Sequence, residues 1–510
     1  MAKNEANDKQ YTNESIKSLK GADRVRKRPA VIFGSDGIEG CQQSVFEIIS
    51  NSLDEAREGY GDRIIITKYL DHSVEVEDFA RGIPVDYNSK EKEYNWKLLF
   101  CELYAGGKYN NLTGTNYQYS LGINGLGMCA TQYSSRYMDV EIFRDGYRYE
   151  LHFEKGNPKG ELIKEPPTRK KTGSRIKWLP DLQVFTDIDI PDEYFEETLK
   201  RQSVVNAGIT FELRREVSEG KFETSTYCYE NGIADYVNEF AGEETLTPVQ
   251  LWTGERSGRD RDDMPDYKVK MSFAVCFSNR DKKLEYYHNS SWLEHGGSPE
   301  KAVKLAFVNQ IDALIKDRKL YKKDETRITF ADVEDCLVLV SSSFSTVTSY
   351  ENQTKKSITN KFIAQAMTEF LKHSLEIYFI ENKLDADKIA NQVLINKRSR
   401  ENAEKTRLNL KKTLQNNSDF TNRINKFVDC RTKDIERREV YIVEGDSALG
   451  ACKQGRDAEF QAIIPVRGKI LNCLKAEYDK IFKNDIITDL LKVLGCGVEV
   501  QSKANKDLSN

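Results

Sequence analysis

The sequence has 510 residues, of which 39% are hydrophobic and 11 are proline, and its 77 basic residues nearly balance 81 acidic ones to give a net charge of −4. This length predicts roughly three or four domains of about 150 residues each, and the composition excludes a largely disordered chain. The near-neutral balance excludes a chain-wide polycation, so if nucleic acid is a partner, the basic residues must be gathered on one face.

The ten cysteines and the N-terminal segment indicate an intracellular protein. No two cysteines have the C-x-x-C spacing of a zinc or redox site, so we expect reduced thiols. The N-terminus lacks the apolar core of a signal peptide, and no apolar run approaches the roughly 18 residues of a membrane span. We therefore expect a cytoplasmic protein without a membrane partner.

A polar arm and an amphipathic helix are the first predicted elements. The first ten residues are polar, which is typical of a flexible arm, and the next segment has helical spacing that is cut at Pro29. Apolar residues then repeat at helical intervals over 45–56, which leaves Glu47, Asn51 and Glu55 one turn apart on the opposite side. A carboxylate and an amide so placed could orient a water and hold Mg²⁺, although a solvated helix face explains this pair alone more simply.

A hairpin and a glycine-rich loop follow. The β-rich runs 63–70 and 73–78 predict two paired strands with Asp78 at the exit of the second. An aspartate fixed there could accept a hydrogen bond from the amine of adenine, or could simply open a polar turn. Residues 104–127 are dense in Gly, Asn, Thr and Tyr and predict a lid over a site. Glycines admit phosphate oxygens to backbone N–H groups, but such a loop alone is a weak signal, and no P-loop motif is present.

Further periodic segments predict additional α+β and α/β domains. Strand-like runs continue to about residue 214, and the pattern restarts with a helix and strands after the turn at 229–232. Residues 356–415 are helical and polar, with many Lys and Arg near the end. The apolar strand 440–443 then leads into Glu444, at the strand end where an open α/β sheet presents chemistry. The predicted domains are 1–228, 229–415 and 416–510.

Four motifs in a fixed order resemble a known ATP-binding fold. They are Glu47-x-x-x-Asn51, Asp78-x-x-x-Gly82, Gly122-Ile123-Asn124-Gly125-Leu126-Gly127 and Thr172-Gly173-Ser174. This series resembles the fold shared by gyrase B subunits, heat-shock chaperone ATPases, mismatch-repair ATPases and histidine kinases. The match narrows at 11–29, 103–109, Gln353-Thr354-Lys355 and 441–472, which resemble the B subunit of a type IIA DNA topoisomerase, gyrase or topoisomerase IV. The resemblance runs from Tyr11 to about Gly497.

The resemblance implies a fold and a role for each matching residue. The implied fold is a GHKL-type ATPase α/β sandwich with an N-terminal dimerisation arm, a β-α-β transducer domain and a partial Toprim-like α/β domain. Glu47 would be the general base that polarises the attacking water, and Asn51 would be the Mg²⁺ ligand. Asp78 would read adenine with help from Ser174. The other residues expected to border the ATP are Gly82, Gly106, Gly107, Lys108, Gly122, Asn124, Gly125, Leu126 and Gly127.

The resemblance also implies how ATP acts on the rest of the assembly. Gln353 and Lys355 would reach the γ-phosphate from the second domain, so that this domain senses hydrolysis. Tyr11 matches the residue that crosses to the partner subunit's nucleotide, which implies an ATP-dependent homodimer. Glu444 would help to bind Mg²⁺ where double-stranded DNA is cleaved by a tyrosine on an A-type partner subunit.

Three departures from the family pattern bear on these expectations. Phe79 and Ala80 stand where the family has Asn and Gly, which could tighten the adenine pocket. Asn124 stands where bacterial gyrases usually have His. The Asp-x-Asp pair that completes a Toprim metal site does not follow Glu444, so we expect an incomplete site. Either the chain is cut inside a domain, or a separate chain supplies the remainder.

The sequence favours an enzyme subunit over two alternatives. The enzyme would couple ATP-driven dimer closure to the passage of one DNA duplex through another. A nucleotide-gated DNA clamp that hydrolyses ATP poorly would fit the Phe79 and Ala80 departure, but such a clamp has no need of the general base Glu47. A histidine kinase is disfavoured because none of the five histidines lies in a recognisable phosphoacceptor helix.

Overall fold

The computed structural model describes residues 18–107, 125–166, 171–351, 355–416, 424, 426–468, 471–473, 475–476, 480–481 and 484–494. The chain forms two compact units, Met1–Leu394 (unit 1) and Ile395–Asn510 (unit 2). None of the described helices has both the length and the apolar character needed to cross a membrane. The nine cysteines in the described ranges are all free, as the sequence predicts.

The N-terminal part of unit 1 contains a nine-stranded sheet. Its strands are β1 (Arg63–Lys68), β2 (Val74–Asp78), β5 (Ser135–Arg144), β6 (Tyr147–Glu154), β7 (Asn157–Pro158), β8 (Ile163–Glu165), β9 (Gly173–Pro180), β10 (Thr210–Ser218) and β11 (Lys221–Tyr227). The order is β11-β10-β1-β2-β9-β5-β6-β7, and β8 also pairs with β6. Strands β1 and β2 are antiparallel, with Ile64 opposite Asp78, so the predicted hairpin is confirmed. A separate small hairpin joins β3 (Tyr87–Asn88) to β4 (Glu93–Tyr94).

Helices cover one face of this sheet. They are α1 (Asp23–Arg26), α2 (Pro29–Phe33), α3 (Ile38–Arg57), α4 (Asn95–Cys101), α5 (Gly127–Tyr133) and α6 (Asp192–Val205). The apolar stripe of α3, which includes Val45, Ile48 and Leu53, packs with the buried strand residues into one core. The predicted helix break at Pro29 is confirmed, since α1 ends at Arg26. Pro29 then begins α2, because proline lacks only an N–H that the first turn leaves unbonded.

The rest of unit 1 is built on a second sheet. Its strands are β12 (Gln250–Gly258), β13 (Tyr267–Phe277), β14 (Lys283–His288), β15 (Ser291–Trp292) and β16 (Leu337–Ser345), in the order β12-β13-β16-β14-β15. The helices are α7 (Ile233–Ala241), α8 (Ser298–Asp317), α9 (Phe330–Glu334), α10 (Lys361–Glu381) and α11 (Lys383–Asn416), which continues into unit 2. Helices α8 and α10 pack in the core on one face, and α7 packs on the other with Val204 and Val205 of α6. The helical prediction for 356–415 is confirmed by α10 and α11.

Unit 2 contains a small β-α-β arrangement. Strands β17 (Glu439–Glu444) and β18 (Gln461–Val466) are parallel, α12 (Gly445–Gly455) connects them, and α13 (Asp485–Leu494) follows. Ala462, Ile463 and Ile464 of β18 are buried. The predicted α/β character of this segment is confirmed, while the domain boundaries at 228 and 415 stay predictions.

Candidate active site

A cavity of about 270 Å³ lies beside α3 and the ends of β2 and β9. Five predicted site residues line it: Asn51, Asp78, Gly82, Gly107 and Ser174. Its other lining residues are Ile48, Ser52, Glu55, Arg81, Ile83, Pro84, Leu99, Phe100, Met128, Arg144 and Ile176. A mostly apolar wall with a few convergent polar groups is typical of a small-molecule site.

Asp78 is the most tightly held polar group in this cavity. Its side chain is buried, with only 7% of the residue exposed. One carboxylate oxygen accepts hydrogen bonds from the backbone N–H groups of Ala80 and Ser174, both at 3.1 Å, and the other accepts from the Ser52 hydroxyl at 2.9 Å. Burial raises the pKa of Asp78, and these hydrogen bonds oppose that effect. The oxygen bonded to Ser52 accepts only this one hydrogen bond, so it has a further lone pair with which the fixed carboxylate can accept one more donor.

Two glycines allow backbone segments near the cavity to approach one another closely. Gly173 has φ of +132°, and a Cβ there would lie 2.1 Å from the Asp78 carbonyl oxygen. Gly82 has φ of +78°, and a Cβ there would lie 2.6 Å from the carbonyl oxygen of Phe143. Ser174 accepts a hydrogen bond from the backbone N–H of Ile83 at 3.2 Å, which fixes the turn. These positions therefore require glycine for both space and conformation.

The departure at Phe79 and Ala80 does not narrow the cavity. Ala80 is buried and uses its backbone N–H to bind Asp78, and neither residue is among those that line the cavity in the described ranges. The Phe79 ring instead lies near the Arg63 guanidinium and the Lys171 ammonium, at 5.9 and 5.8 Å. The expectation of a tightened adenine pocket is therefore wrong, because both side chains point elsewhere.

Glu47 and Asn51 lie one turn apart on α3. Gln43 donates to the Glu47 carboxylate at 2.9 Å, and the Asn51 amide nitrogen donates to the Glu47 carbonyl oxygen at 2.9 Å. A Cβ at Gly127 would lie 2.0 Å from a Glu47 carboxylate oxygen, so this carboxylate packs against the start of α5. Glu47 itself is half-buried and does not line the cavity, whereas Asn51 does.

Glu55, Arg81 and Arg144 also line the cavity, although the sequence predicted no role for them there. Arg81 donates two hydrogen bonds to the Glu55 carboxylate, at 2.9 and 3.1 Å, and its guanidinium lies 3.7 Å from the centre of the Tyr60 ring. Arg144 donates to the Gly82 carbonyl oxygen at 2.6 Å. Glu55 lies one helical turn after Asn51, and this spacing was a sequence signal for the position of the Arg81–Glu55 pair. No local signal points to Arg144, because it reaches the cavity from β5.

The remaining predicted nucleotide residues are not brought to the cavity by the described structure. Tyr11, Lys108, Gly122, Asn124 and Gln353 lie outside the described residues. Gly106, Gly125, Leu126, Gly127 and Lys355 are described but do not line the cavity. The backbone N–H of Tyr104 donates to the Gly125 carbonyl oxygen at 2.9 Å, which joins the two ends of the predicted lid segment.

Glu444 lies on the exposed surface of unit 2. It is exposed at the end of β17, where it precedes α12. The nearby Asp446 is paired with Lys426 at 2.6 Å and with Arg467. Across the part of the chain that the structure describes, no three His, Cys, Asp or Glu side chains converge as metal ligands. The site predicted at Glu444 therefore has one candidate ligand without described partners.

Two family profiles match the sequence. The DNA gyrase B profile matches residues 232–409, and the Toprim domain profile matches residues 439–506.

Curated relatives extend this match over nearly the whole chain. The chain is 32% identical over 493 residues to the DNA gyrase B protein of Thermotoga maritima, covering 96% of this chain and 75% of that protein. It is 32% identical over 504 residues to the DNA gyrase B protein of Chlamydia muridarum, covering 97% of this chain and 61% of that protein.

The structural neighbours are ATPase domains. The 43K ATPase domain of Thermus thermophilus gyrase B, solved with an aminocoumarin, matches with a TM-score of 0.58 and 24% identity, over 76% of this chain and 98% of that one. The topoisomerase IV ATP-binding domain of Francisella tularensis, solved with a small-molecule inhibitor, matches with a TM-score of 0.58 and 25% identity, over 75% and 98%.

Proposed function

The chain belongs to the DNA gyrase B family, whose members are B-type subunits of type IIA topoisomerases, and we propose that it binds and hydrolyses ATP in the cavity beside α3. The observation that carries this proposal is the buried Asp78 carboxylate, which three donors hold at the cavity wall. A fixed buried acceptor beside apolar residues suits the edge of a purine base, since the exocyclic amine of adenine is a donor.

The residues on α3 fit a role at the phosphates. Asn51 uses its amide nitrogen to bind the Glu47 carbonyl, so its amide oxygen is the atom suited to Mg²⁺, a cation that prefers oxygen ligands. When bound, Mg²⁺ neutralises charge on the phosphates. Glu47 is oriented by Gln43 and would act as general base by accepting a proton from the attacking water. Lys355 and Gln353 would stabilise charge at the γ-phosphate from the second sheet's part of the chain.

Replacing Glu47 by Gln tests this proposal directly. We expect hydrolysis to fall by about 100-fold or more, because the amide cannot accept the proton, while nucleotide affinity changes less than about threefold. Steady-state hydrolysis and calorimetric titration with ADP measure the two effects. Gln43→Ala is the matched control on the same helix, and we expect it to lower hydrolysis far less. A parallel loss of ADP affinity in Glu47→Gln would show that the carboxylate is structural.

We further propose that the protein works as an ATP-dependent homodimer on double-stranded DNA, with a tyrosine-bearing A-type subunit. Membership of the gyrase B family supports these partners. Second-order dependence of hydrolysis on protein concentration would support closure through the arm with Tyr11, and strictly linear dependence would refute it. The nucleotide-gated clamp alternative receives no support from the comparisons, since the relatives are gyrase B proteins and the neighbours are ATPase domains.

We also propose a partner segment for the Toprim-like domain, an acidic stretch supplied in the same chain or by a separate one, which packs against the exposed residues of β17. Val440, Tyr441 and Ile442 of β17 are 37%, 45% and 54% exposed, although strand residues of this kind are usually buried. Among the described strands, β17 pairs with β18 alone. Restoration of DNA cleavage by an added acidic segment, together with the A-type subunit, would support this partner. Cleavage by the 510-residue chain and the A-type subunit without it would refute the proposal.

A further inference from the structure

A buried hydrogen-bond cluster surrounds the turn between β14 and β15, away from the cavity. Its centre is His288, which is fully buried. The His288 Nδ1 lies 2.8 Å from the Ser343 hydroxyl, and Nε2 lies 3.0 Å from the Thr348 hydroxyl. The Asn289 amide nitrogen donates to the same Thr348 hydroxyl at 3.1 Å. The Thr348 hydroxyl is therefore held between two side chains of the turn.

The donors and acceptors of this cluster form a closed set. Ser343 donates to the Tyr287 carbonyl oxygen at 3.1 Å, so its hydroxyl can accept from His288 Nδ1–H. Thr348 accepts from Asn289 and can donate to His288 Nε2. In this assignment the imidazole is neutral. Burial favours the neutral form because it lowers the pKa of His288 to about 3, and the nearby Arg57 charge acts in the same direction.

The same turn is bonded to the first sheet's helical layer. The Gln202 side chain of α6 donates to the Ser290 carbonyl oxygen at 3.0 Å, and the Ser290 hydroxyl donates to the Asn206 side chain at 3.0 Å. Asn289 and Ser290 both have left-handed backbone conformations, with φ of +46° and +61°. Two successive non-glycine residues rarely adopt this conformation unless surrounding contacts hold them there. The turn is therefore fixed from both sides.

Thr348 precedes two paired segments that lead to Lys355. The backbone N–H of Thr359 donates to Ser349 at 2.9 Å, and the N–H of Glu351 donates to Ser357 at 3.0 Å. Lys355 lies two residues before Ser357, at the start of the returning segment. Nearby, the Arg57 guanidinium at the end of α3 lies 4.5 Å from the centre of the Phe344 ring on β16. The base of these paired segments is thus tied to the turn and to α3, the helix that carries Glu47 and Asn51.

We propose that Thr348 is a positioning residue for ATP hydrolysis, whose hydroxyl, held by His288 and Asn289, sets the place of the paired segments that carry Lys355. This inference rests on the proposed function. A group at the γ-phosphate loses much of its effect when it is displaced by about 1 Å. Looser positioning of the paired segments would therefore lower turnover without weakening the binding of the adenine and ribose. Thr348 touches no nucleotide in this scheme and acts through Lys355.

A hydroxyl deletion with a matched control tests the inference. Thr348→Val keeps the side-chain volume and removes the hydroxyl, while Thr348→Ser keeps the hydroxyl. His288 and Asn289 retain other partners on Ser345, at 3.0 Å to its hydroxyl and 3.1 Å to its carbonyl oxygen, so we expect the fold to persist. In the full chain, we expect Thr348→Val to lower kcat about tenfold with KM and ADP affinity within about twofold. Thr348→Ser should stay within about twofold of the parent, and Thr348→Ala must reproduce the loss.

A double-mutant cycle separates this inference from the proposed function. In a Lys355→Ala background, we expect Thr348→Val to lower kcat by less than about twofold, because the lysine that it positions is gone. A full additional loss there, or an equal loss of ADP affinity, would overturn the inference. If Lys355→Ala is impaired while Thr348→Val is fully active, the inference about Thr348 is overturned and the proposed function is not affected. Full activity of Lys355→Ala would overturn the proposed role of the lysine and this inference with it.

Discussion

Two carboxylates in this chain each lie at the end of a strand, yet they have very different surroundings. Asp78 ends β2 and Glu444 ends β17, and a turn with glycine follows or borders each. Strand β2 lies between β1 and β9, so Asp78 is buried and bonded to three donors. Strand β17 pairs only with β18 among the described strands, and Glu444 is exposed.

This comparison shows what turns a strand-end acid into a binding group. The donors that fix Asp78 come from α3, from the turn after β2 and from the neighbouring strand β9, and apolar side chains around it exclude water. Asp78 has both the donors and the apolar neighbours, whereas Glu444 needs additional packed residues around it before it can act as a binding group. The predictions below test this difference, beginning with the largest expected effect.

Replacing the glycine near each carboxylate, Gly173 or Gly445, by alanine should give the largest difference between the two regions. In Gly173→Ala, the residue has φ of +132° and its new Cβ would lie 2.1 Å from the Asp78 carbonyl oxygen. We therefore expect the free energy of unfolding to fall by about 3 kcal/mol or more, and nucleotide binding to be lost as well. In Gly445→Ala, φ is +77° but nothing lies within 4 Å, so we expect about 1 kcal/mol from backbone strain alone. Urea unfolding measures both, and equal losses would contradict the comparison.

Removing the charge of each carboxylate should give the second largest difference. Asp78→Asn leaves one acceptor oxygen for three donors, so we expect nucleotide affinity to fall by about 1–3 kcal/mol. Glu444→Gln is the control, and its nucleotide affinity should match that of the parent chain. Calorimetric titration with ADP and with a non-hydrolysed ATP analogue measures this. Unchanged affinity in Asp78→Asn would place the base elsewhere.

The last prediction concerns the pH dependence of stability that the buried His288 of unit 1 introduces. His288 has a pKa of about 3 when folded, against 6.5 as its ordinary value, so only the unfolded chain takes up its proton between these pH values. Its contribution to stability is therefore complete above pH 6.5 and is lost as the pH falls, by about 1.4 kcal/mol per pH unit well below 6.5. Unfolding curves at several pH values check this. In His288→Gln, the slope of the free energy of unfolding against pH should fall by the equivalent of about one proton. An unchanged slope would refute the assignment of this pH dependence to His288.

Several elements were predictable because local periodicity determines which face is buried. The stripe along α3 predicted its helix and placed Glu47, Asn51 and Glu55 on one side. Alternation predicted β1, β2 and the strands that follow. The helix break at Pro29 was also predictable, but only the structure shows that this proline starts a second helix, because a proline is compatible with either a helix end or a helix start.

The candidate site was predictable where one short segment carries it. Asp78, Gly82 and Ser174 belong to motifs, and the structure brings them together at one cavity. Phe79 and Ala80 were misjudged because the motif does not show on which side of the turn their side chains lie. The roles of Glu47, Lys355 and Glu444, and a cytoplasmic location, stay predictions.

By itself the sequence determined the helices and strands, the family and the strand-end carboxylates, because these follow from periodicity and from residues close together in the chain. Only the tertiary structure decided that Ser52 and Ser174 both bind Asp78, that Arg144 reaches Gly82, and that Thr348 is held by His288. These partners lie 26 to 96 residues apart. Their meeting depends on the strand order of the two sheets and on how helices cover them, which no local pattern records.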